Sequence, residues 1–424
     1  MAEGAAGPTS RLTRSEWGLV AVLLAVQFTH VVDFVIIMPL GDRLKRELTI
    51  NDQQFGLVIA VYAWAAGIAN LLASLVVDRF DRRTVLLTMY AGFGLSTLLC
   101  GVVDSYESFL VARTLAGVFG GVAAGTLFSI IGDVFPPEKR GRATGAVMSA
   151  FAVATIGGLP LGLWLAELLG RGAPFFGLAA LSAAVWVYGW VKLPHVRGHL
   201  EEERRHPLTE FAAVVREPRH VWALVFSFFL VMGTFTVASF IAPVLCRKNG
   251  WSEEQLKWVY LIGGVFTLGG MAVVSRLADR VSRLPLFRVL GFGALVLALV
   301  ISNLPPGPVW VATLVVGAFM VFASGRMVPA QAMLLGTAAA RVRGAFMSLN
   351  TAVQHAATGV APALAGAIIT ETPDKQLTGF PVVGLVSAGC AAVALVLAGQ
   401  LRSGESGAAS EPEVTAADEA TVAS

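Results

Sequence analysis

WGLVAVLLAVQFTHVVDFVIIMPL, residues 17–40, is an apolar run interrupted by one carboxylate, Asp33. As a helix rising about 1.5 Å per residue it exceeds the ~30 Å of hydrocarbon in a bilayer. A charged side chain placed well inside such a span costs at least about 2.5 kcal/mol, so it persists where it faces a partner or a water-filled path. Gln27, His30 and Asp33 step by three and form a polar stripe on one face of this helix.

The same solvent argument extends to the whole chain. It has 424 residues, of which 56% are hydrophobic and 14% charged, with mean hydropathy +0.72. Soluble domains carry about 25% charged residues. The net charge of +3 gives no ground for a nucleic-acid partner. Cys100, Cys246 and Cys390 lie in or beside apolar spans, with no metal-ligand spacing and no pairing pattern, and read as apolar fillers. There is no G-x-x-x-x-G-K-[ST] loop, so no nucleotide, metal or other cofactor is expected, and energy must come from a gradient or from the solute itself. Arg11 and Arg14 precede the first apolar run as they would in a signal peptide. That run is too long for a signal sequence, contains His30 and Asp33, and ends in MPLGD without a small-x-small site, so a retained first span is expected.

Taken in order, twelve apolar spans are predicted, at about 17–40, 53–77, 84–103, 108–134, 143–168, 174–193, 219–246, 255–277, 285–303, 308–336, 344–370 and 379–401. The expected organisation is a short N-terminus (1–16), a six-helix bundle (17–193), a charged linker (194–218), a second six-helix bundle (219–402) and a disordered acidic tail (403–424). With the N-terminus inside, the inner segments and span edges carry 21 Lys and Arg against 8 on the other side, which puts both termini in the cytoplasm. In the linker, Pro207, Leu208, Phe211, Ala212 and Val215 suit a short amphipathic helix on the inner membrane surface; a solvated linker is the competing reading. The halves repeat. GAVMS at 145–149 recurs as GAFMS at 344–348, and Asp78-Arg79 recurs as Asp279-Arg280. Parallel six-helix repeats with a site between them at mid-membrane are an architecture of secondary transporters.

The loop after the second span, SLVVDRFDRRT at 74–84, resembles the signature loop of the major facilitator superfamily, a small residue followed by D-R-x-G-R-[RK]. Asp78, Arg79, Arg82 and Arg83 match; Asp81 replaces the usual glycine, and Ser74 the leading one. The resemblance implies an all-α polytopic membrane protein, twelve transmembrane helices in two pseudo-symmetric six-helix bundles, and a transporter rather than an enzyme. It also implies a cytoplasmic gate at Asp78, Arg79, Arg82, Arg83, Asp279 and Arg280, where a carboxylate beside guanidiniums can latch one half to the other. A topology anchor is the plainer alternative. Arg113, followed by Gly117, resembles the family's R-x-x-x-G motif in the fourth helix. Gly157, Gly158, Pro160 and Gly162 resemble, incompletely, the helix-bending motif of drug–proton antiporters. The run at 157–176 is similar to the bacterial drug- and sugar-efflux branch.

Arg113 lies about five residues into its span and Asp33 about seven from the outer end of its own, so the two can pair; Arg113 could instead snorkel to the interface. Asp33, Arg113 and His30 are the proton-coupling candidates, although His30 also reads as a core histidine with its hydrogen bonds satisfied. Substrate-binding candidates are Gln27, Asn70, Arg326, Gln331, Asn350, Gln354 and His355, with helix–helix hydrogen bonding as the competing role. Trp64 and Tyr62 read as packing. The expected activity is proton-coupled export of a small organic molecule or drug by a monomer in the cell (inner or plasma) membrane. Proton-coupled uptake of a small polar or anionic solute is the alternative.

Overall fold

Side-chain caps decide where several of the long helices begin. Thr13 and Glu16 form a reciprocal capping box at the start of α1 (Arg14–Val35), and Asn51 and Gln54 do the same for α2 (Asp52–Ser74). Asp81 caps α3 (Arg82–Val102) and Ser105 caps α4 (Tyr106–Val134). The remaining long helices are α5 (Glu138–Leu169), α6 (Ala173–Lys192), α7 (Pro218–Lys248), α8 (Gln255–Ala278), α9 (Arg283–Asn303), α10 (Val309–Thr337), α11 (Arg343–Ile368) and α12 (Phe380–Ala408). The computed structural model describes residues 12–197, 207–278, 280–338, 342–371 and 377–408.

Eleven of these helices are long and apolar enough to cross a bilayer. The exception is α11, which is long enough but is diluted by Ser348, Asn350, Thr351, Gln354, His355 and Thr358. Its neighbours are α2 and α7, so its polar residues lie against protein. Two expected boundaries are corrected. α1 stops at Val35, where the chain turns through Pro39 into a short helix at Gly41–Glu47, because proline lacks the N–H to continue. α12 runs to Ala408, past the expected edge at 402; residues 409–424 of the expected tail lie outside the described residues. The linker helix forms at Pro207–Arg216, but its packed face is Phe211 and Val214, while Ala212 and Val215 are exposed.

Three helices are interrupted. α5 opens into a π-helical turn at Ala154–Gly158 immediately before Pro160. α7 breaks at Ser239 and Phe240, and α10 breaks at Arg326.

Packing repeats between halves. α2 packs on α4 as α8 does on α10, α3 on α6 as α9 on α12, and α1 on α6 as α7 on α12. The halves meet along α2–α11 and α5–α8. Glycines allow the first contact: a Cβ on Gly56 would sit 2.4 Å from the Pro362 carbonyl oxygen, and one on Gly366 would sit 2.5 Å from that of Asp52. Large apolar side chains such as Leu95, Val191, Val289 and Val396 are exposed on the outside, as a lipid-facing surface requires.

The two ends of the molecule differ. On the face that carries both helical termini, called here the terminal face, each half has its own apolar core. One gathers Leu23, Leu86, Tyr90 and Ile131; the other gathers Phe226, Phe287, Leu334 and Phe346. On the far face a single core joins the halves, with Ile36, Leu44 and Phe55 against Phe240, Ile241 and Leu245. Two ion pairs among the described residues join the halves, Asp42–Arg247 at 2.9 Å and Glu167–Lys257, and both lie at the far face. This conformation is therefore closed at the far face.

Candidate functional site

Asp33 and Arg113 meet. Both side chains are completely buried, and Arg113 Nη1 donates to Asp33 Oδ2 at 2.9 Å and to the Asp33 carbonyl oxygen at 3.2 Å. Thr97 of α3 donates its hydroxyl to Asp33 Oδ1 at 3.4 Å. The guanidinium lies 4.2 Å from the centre of the Tyr62 ring, a cation–π contact strengthened by the absence of water. Arg113 therefore does not snorkel. Its Nε and Nη2 are buried without a hydrogen-bond partner. A buried ion pair gains little net stability, because each charge is desolvated, whereas removing one partner costs about 3–5 kcal/mol. Such a pair is an unusual thing to maintain inside a membrane protein unless a conformational cycle uses it.

The pair lies in the far-face part of α1 and α4, two residues before the end of α1 and seven after the start of α4. It also abuts the seam. Phe34, next in the chain, packs on Tyr62 at 5.5 Å and, across the seam, on Phe235 of α7 at 5.8 Å. Thr234, beside Phe235, accepts a 2.7 Å hydrogen bond from Arg326 Nη2, which also donates to the Leu230 carbonyl at 3.1 Å. A line of packed rings therefore runs from Arg113 through Tyr62, Phe34 and Phe235, whose chain neighbour Thr234 bonds the second buried arginine. Arg326 is 2% exposed, and its Nε has no hydrogen-bond partner.

His30 is not satisfied. Its ring packs between Tyr62 (5.9 Å) and Phe93 (6.0 Å) and against Gly120, and neither ring nitrogen has a hydrogen-bond partner. The Gln27 Oε1, Tyr62 hydroxyl and Asn350 Oδ1 atoms are likewise buried and unpartnered. Buried polar groups are normally paired, so an orphan set near the seam marks candidate ligand contacts. Gln354 donates to Ser227 of α7 at 3.1 Å. His355 sits against Gly67 of α2, where a Cβ would lie 2.7 Å from its own. Arg326 is thus bonded to α7, and His355 is packed on α2. Asn70 faces α4, where its Oδ1 occupies the space that a Cβ on Gly125 would take. Gln331 is half-buried in α10.

Gly158 and Gly162 make room for α1: Cβ atoms there would sit 2.5 Å and 2.6 Å from Val32 and Ile36. Gly157 has open space around it, and Ile156 of the π-helical turn is met by Gly264 of α8 across the second seam. Pro160 opens the following helical segment, where its missing N–H is tolerated.

Of the expected gate residues, Arg82 and Arg83 bond to partners in the first half. Arg82 pairs with Asp78 at 2.6 Å and with Asp133 at 3.1 Å. Arg79 ends a 3₁₀ turn, Arg280 is exposed, and Asp279 lies outside the described residues. Asp81, in the glycine position, accepts from the Val196 N–H at 2.9 Å and from His195 Nδ1 at 2.5 Å, so it staples the end of the first bundle to the start of α3. Burial pushes its carboxyl up, but the His195, Val196 and Arg83 donors outweigh this and hold it below the usual carboxylate value. Arg83 turns to α6.

Sequence reading took Tyr62 for packing alone and missed Phe34, Thr97, Phe235 and Thr234. An aromatic or hydroxyl residue in an apolar span carries no cost that would single it out.

The family model of the Major Facilitator Superfamily matches residues 23–324 and 250–421. An MFS-type transporter of Bacillus subtilis, YceJ, is 25% identical over 85% of this chain and 92% of its own length. The purine ribonucleoside efflux pump NepI of Shigella sonnei is 25% identical over 68% of this chain and 72% of its own. Among solved structures, the nucleoside transporter NupG superposes with a TM-score of 0.71 at 13% identity, over 90% of this chain and 99% of that one.

Proposed function

Since this chain belongs to the major facilitator superfamily and is a membrane transporter rather than an enzyme, we propose that it exports a small organic molecule in exchange for protons by alternating access, with Asp33 as the proton carrier. The observation that carries this reading is the fully buried Asp33–Arg113 pair beside the seam. The positive-inside tally puts the terminal face in the cytoplasm, so the present conformation is inward-facing. In the cycle, opening of the far face admits a proton to Asp33 and loosens Arg113. Return to the inward-facing state restores the pair as the proton leaves. The orphan groups on Gln27, His30 and Tyr62 in the first half and on Asn350 in the second, with Arg326, Gln331, Gln354 and His355 of the second half, bind the solute, and the aromatic line through Phe34 and Phe235 links the two events. Support for the outward direction comes from the efflux pump among the relatives. The protein works as a monomer in the bacterial inner membrane.

A resistance and accumulation screen with overexpressing cells, run with and without a protonophore, tests this. The expected outcome is lower accumulation of at least one compound, abolished by the protonophore; indifference to the protonophore contradicts proton coupling. One observation favours uptake of an anionic solute as a second reading. The site holds two buried arginines and one buried carboxylate, and Arg326 is not matched by an acid. The direction of flux driven by a pH gradient in membrane vesicles decides between them.

A further inference from the structure

We propose that the groove between α3 and α6 at the terminal face is a binding site for the headgroup of an anionic phospholipid. The groove has a volume of about 380 Å³ and is bordered by Arg83, Thr84, Thr88, Trp186, Trp190 and His195. That volume lies at the lower end of the range for small-molecule pockets.

The chemistry at its mouth is that of a phosphodiester site. Arg83 points along the protein surface, held by the Trp190 carbonyl at 2.5 Å and by His195 Nε2 at 3.1 Å, with its guanidinium carbon 5.6 Å from the Trp190 ring. His195 Nδ1 faces Asp81. The His195 tautomer that donates to Asp81 therefore accepts from Arg83, and the two contacts consume two of the five guanidinium N–H groups. Three donors on a fixed, planar cation remain for phosphate oxygens. The acid nearby, Asp81, is occupied by His195, the Val196 N–H and the start of α3. Exposed Arg197, whose Nε lies 3.9 Å from Asp81, adds positive charge beside His195.

The surroundings select a lipid. The Trp186 and Trp190 rings pack at a tilt with centroids 5.4 Å apart, and Trp190 is 57% exposed, as tryptophans are at the level of membrane headgroups. Away from the terminal face the groove side of α3 turns apolar at exposed Leu95, one turn beyond the lining residue Ala91, which gives the acyl chains a lane. A basic pocket between transmembrane helices beside an apolar lane is the form that anionic-lipid sites take.

Native mass spectrometry of the full-length protein, released from micelles doped with phosphatidylglycerol or with phosphatidylcholine of the same chains, tests the site. The wild type is expected to retain one phosphatidylglycerol with at least about a fivefold preference over phosphatidylcholine. Arg83→Gln is expected to remove that preference. Thr88→Trp, which fills the groove without removing a charge, is expected to do the same and carries the test if Arg83→Gln does not fold. Arg288→Gln, an exposed arginine of α9, should leave retention unchanged. Wild-type retention in Thr88→Trp, an equal loss in Arg288→Gln, or equal retention of phosphatidylcholine would each overturn the proposal. So would full displacement of the lipid by glycerol 1-phosphate, which would make this a site for soluble phosphate.

Discussion

With Arg113 in place and the Asp33 carboxylate gone, a guanidinium is left buried against an aromatic ring with no counter-charge. Asp33→Asn is therefore expected to lower stability by about 3–5 kcal/mol, read as a fall in melting temperature in detergent. Adding Arg113→Leu should recover most of the loss, since the remaining groups are then neutral; no recovery would show that the two residues do not act as a pair. Gly117, one turn along α4, is a second sensitive point. A Cβ there would lie 2.3 Å from the Tyr62 backbone oxygen, and backbone cannot yield cheaply. Gly117→Ala is expected to cost about 1–3 kcal/mol and to weaken transport, because it pushes α4 from α2 and Arg113 from Asp33. Asp33 and Arg113 were legible in the sequence because a charge in an apolar run is expensive. Tyr62 was not, since hydropathy does not say which way a ring faces.

At the scale of elements, helix ends followed the caps at Thr13, Asn51 and Ser105, and the π-helical turn of α5 ends at its paired glycines, Gly157 and Gly158, ahead of Pro160. In the loop before α3 the sequence marked Asp81 only as a replacement for the usual glycine, whereas its carboxylate is an N-cap and the anchor of the segment after α6. Long-range partners such as His195 and Val196, more than a hundred residues away, leave no local sequence signal. Asp81→Ala should cost about 0.5–2 kcal/mol from the cap alone. Because the folded carboxyl titrates below its ordinary value, its contribution is complete above the unfolded value of about 3.9 and is lost as pH falls through the lower folded value. Unfolding of wild type and Asp81→Ala measured from pH 7 downward should therefore converge only below about pH 4. A gap that closes between pH 7 and 5 would contradict this account of the staple.

Across the whole molecule, the six-plus-six plan could be read from span count, charge bias and the two short repeats. The seam could not. α11 was read as a span, but nothing in its pattern names α2 as its partner, and the glycines that bring α2 and α11 together, Gly56, Gly359 and Gly366, have meaning only once their partners are known. Closure of the far face rests on a shared apolar core plus the Asp42–Arg247 and Glu167–Lys257 pairs. Arg247 also holds Glu371 at 2.6 Å. Arg247→Ala is expected to shift the population toward a far-face-open form by roughly fivefold, taking about 1 kcal/mol for a partly exposed pair. Spin labels at Glu107 and Asn303, exposed on opposite halves of the far face, would report this as a longer distance component. An unchanged distribution would mean that the apolar core alone sets the closure.

The central claim is that Asp33 carries the exchanged proton. Its most direct test is gradient-driven flux in proteoliposomes, using a compound identified in the resistance screen, with wild type and Asp33→Asn compared at equal reconstitution. The account predicts that the wild type moves the compound against the proton gradient and stops when the gradient is collapsed. Asp33→Asn should still exchange the compound across the membrane but should gain nothing from the gradient. Wild-type, gradient-driven flux through Asp33→Asn would contradict the account.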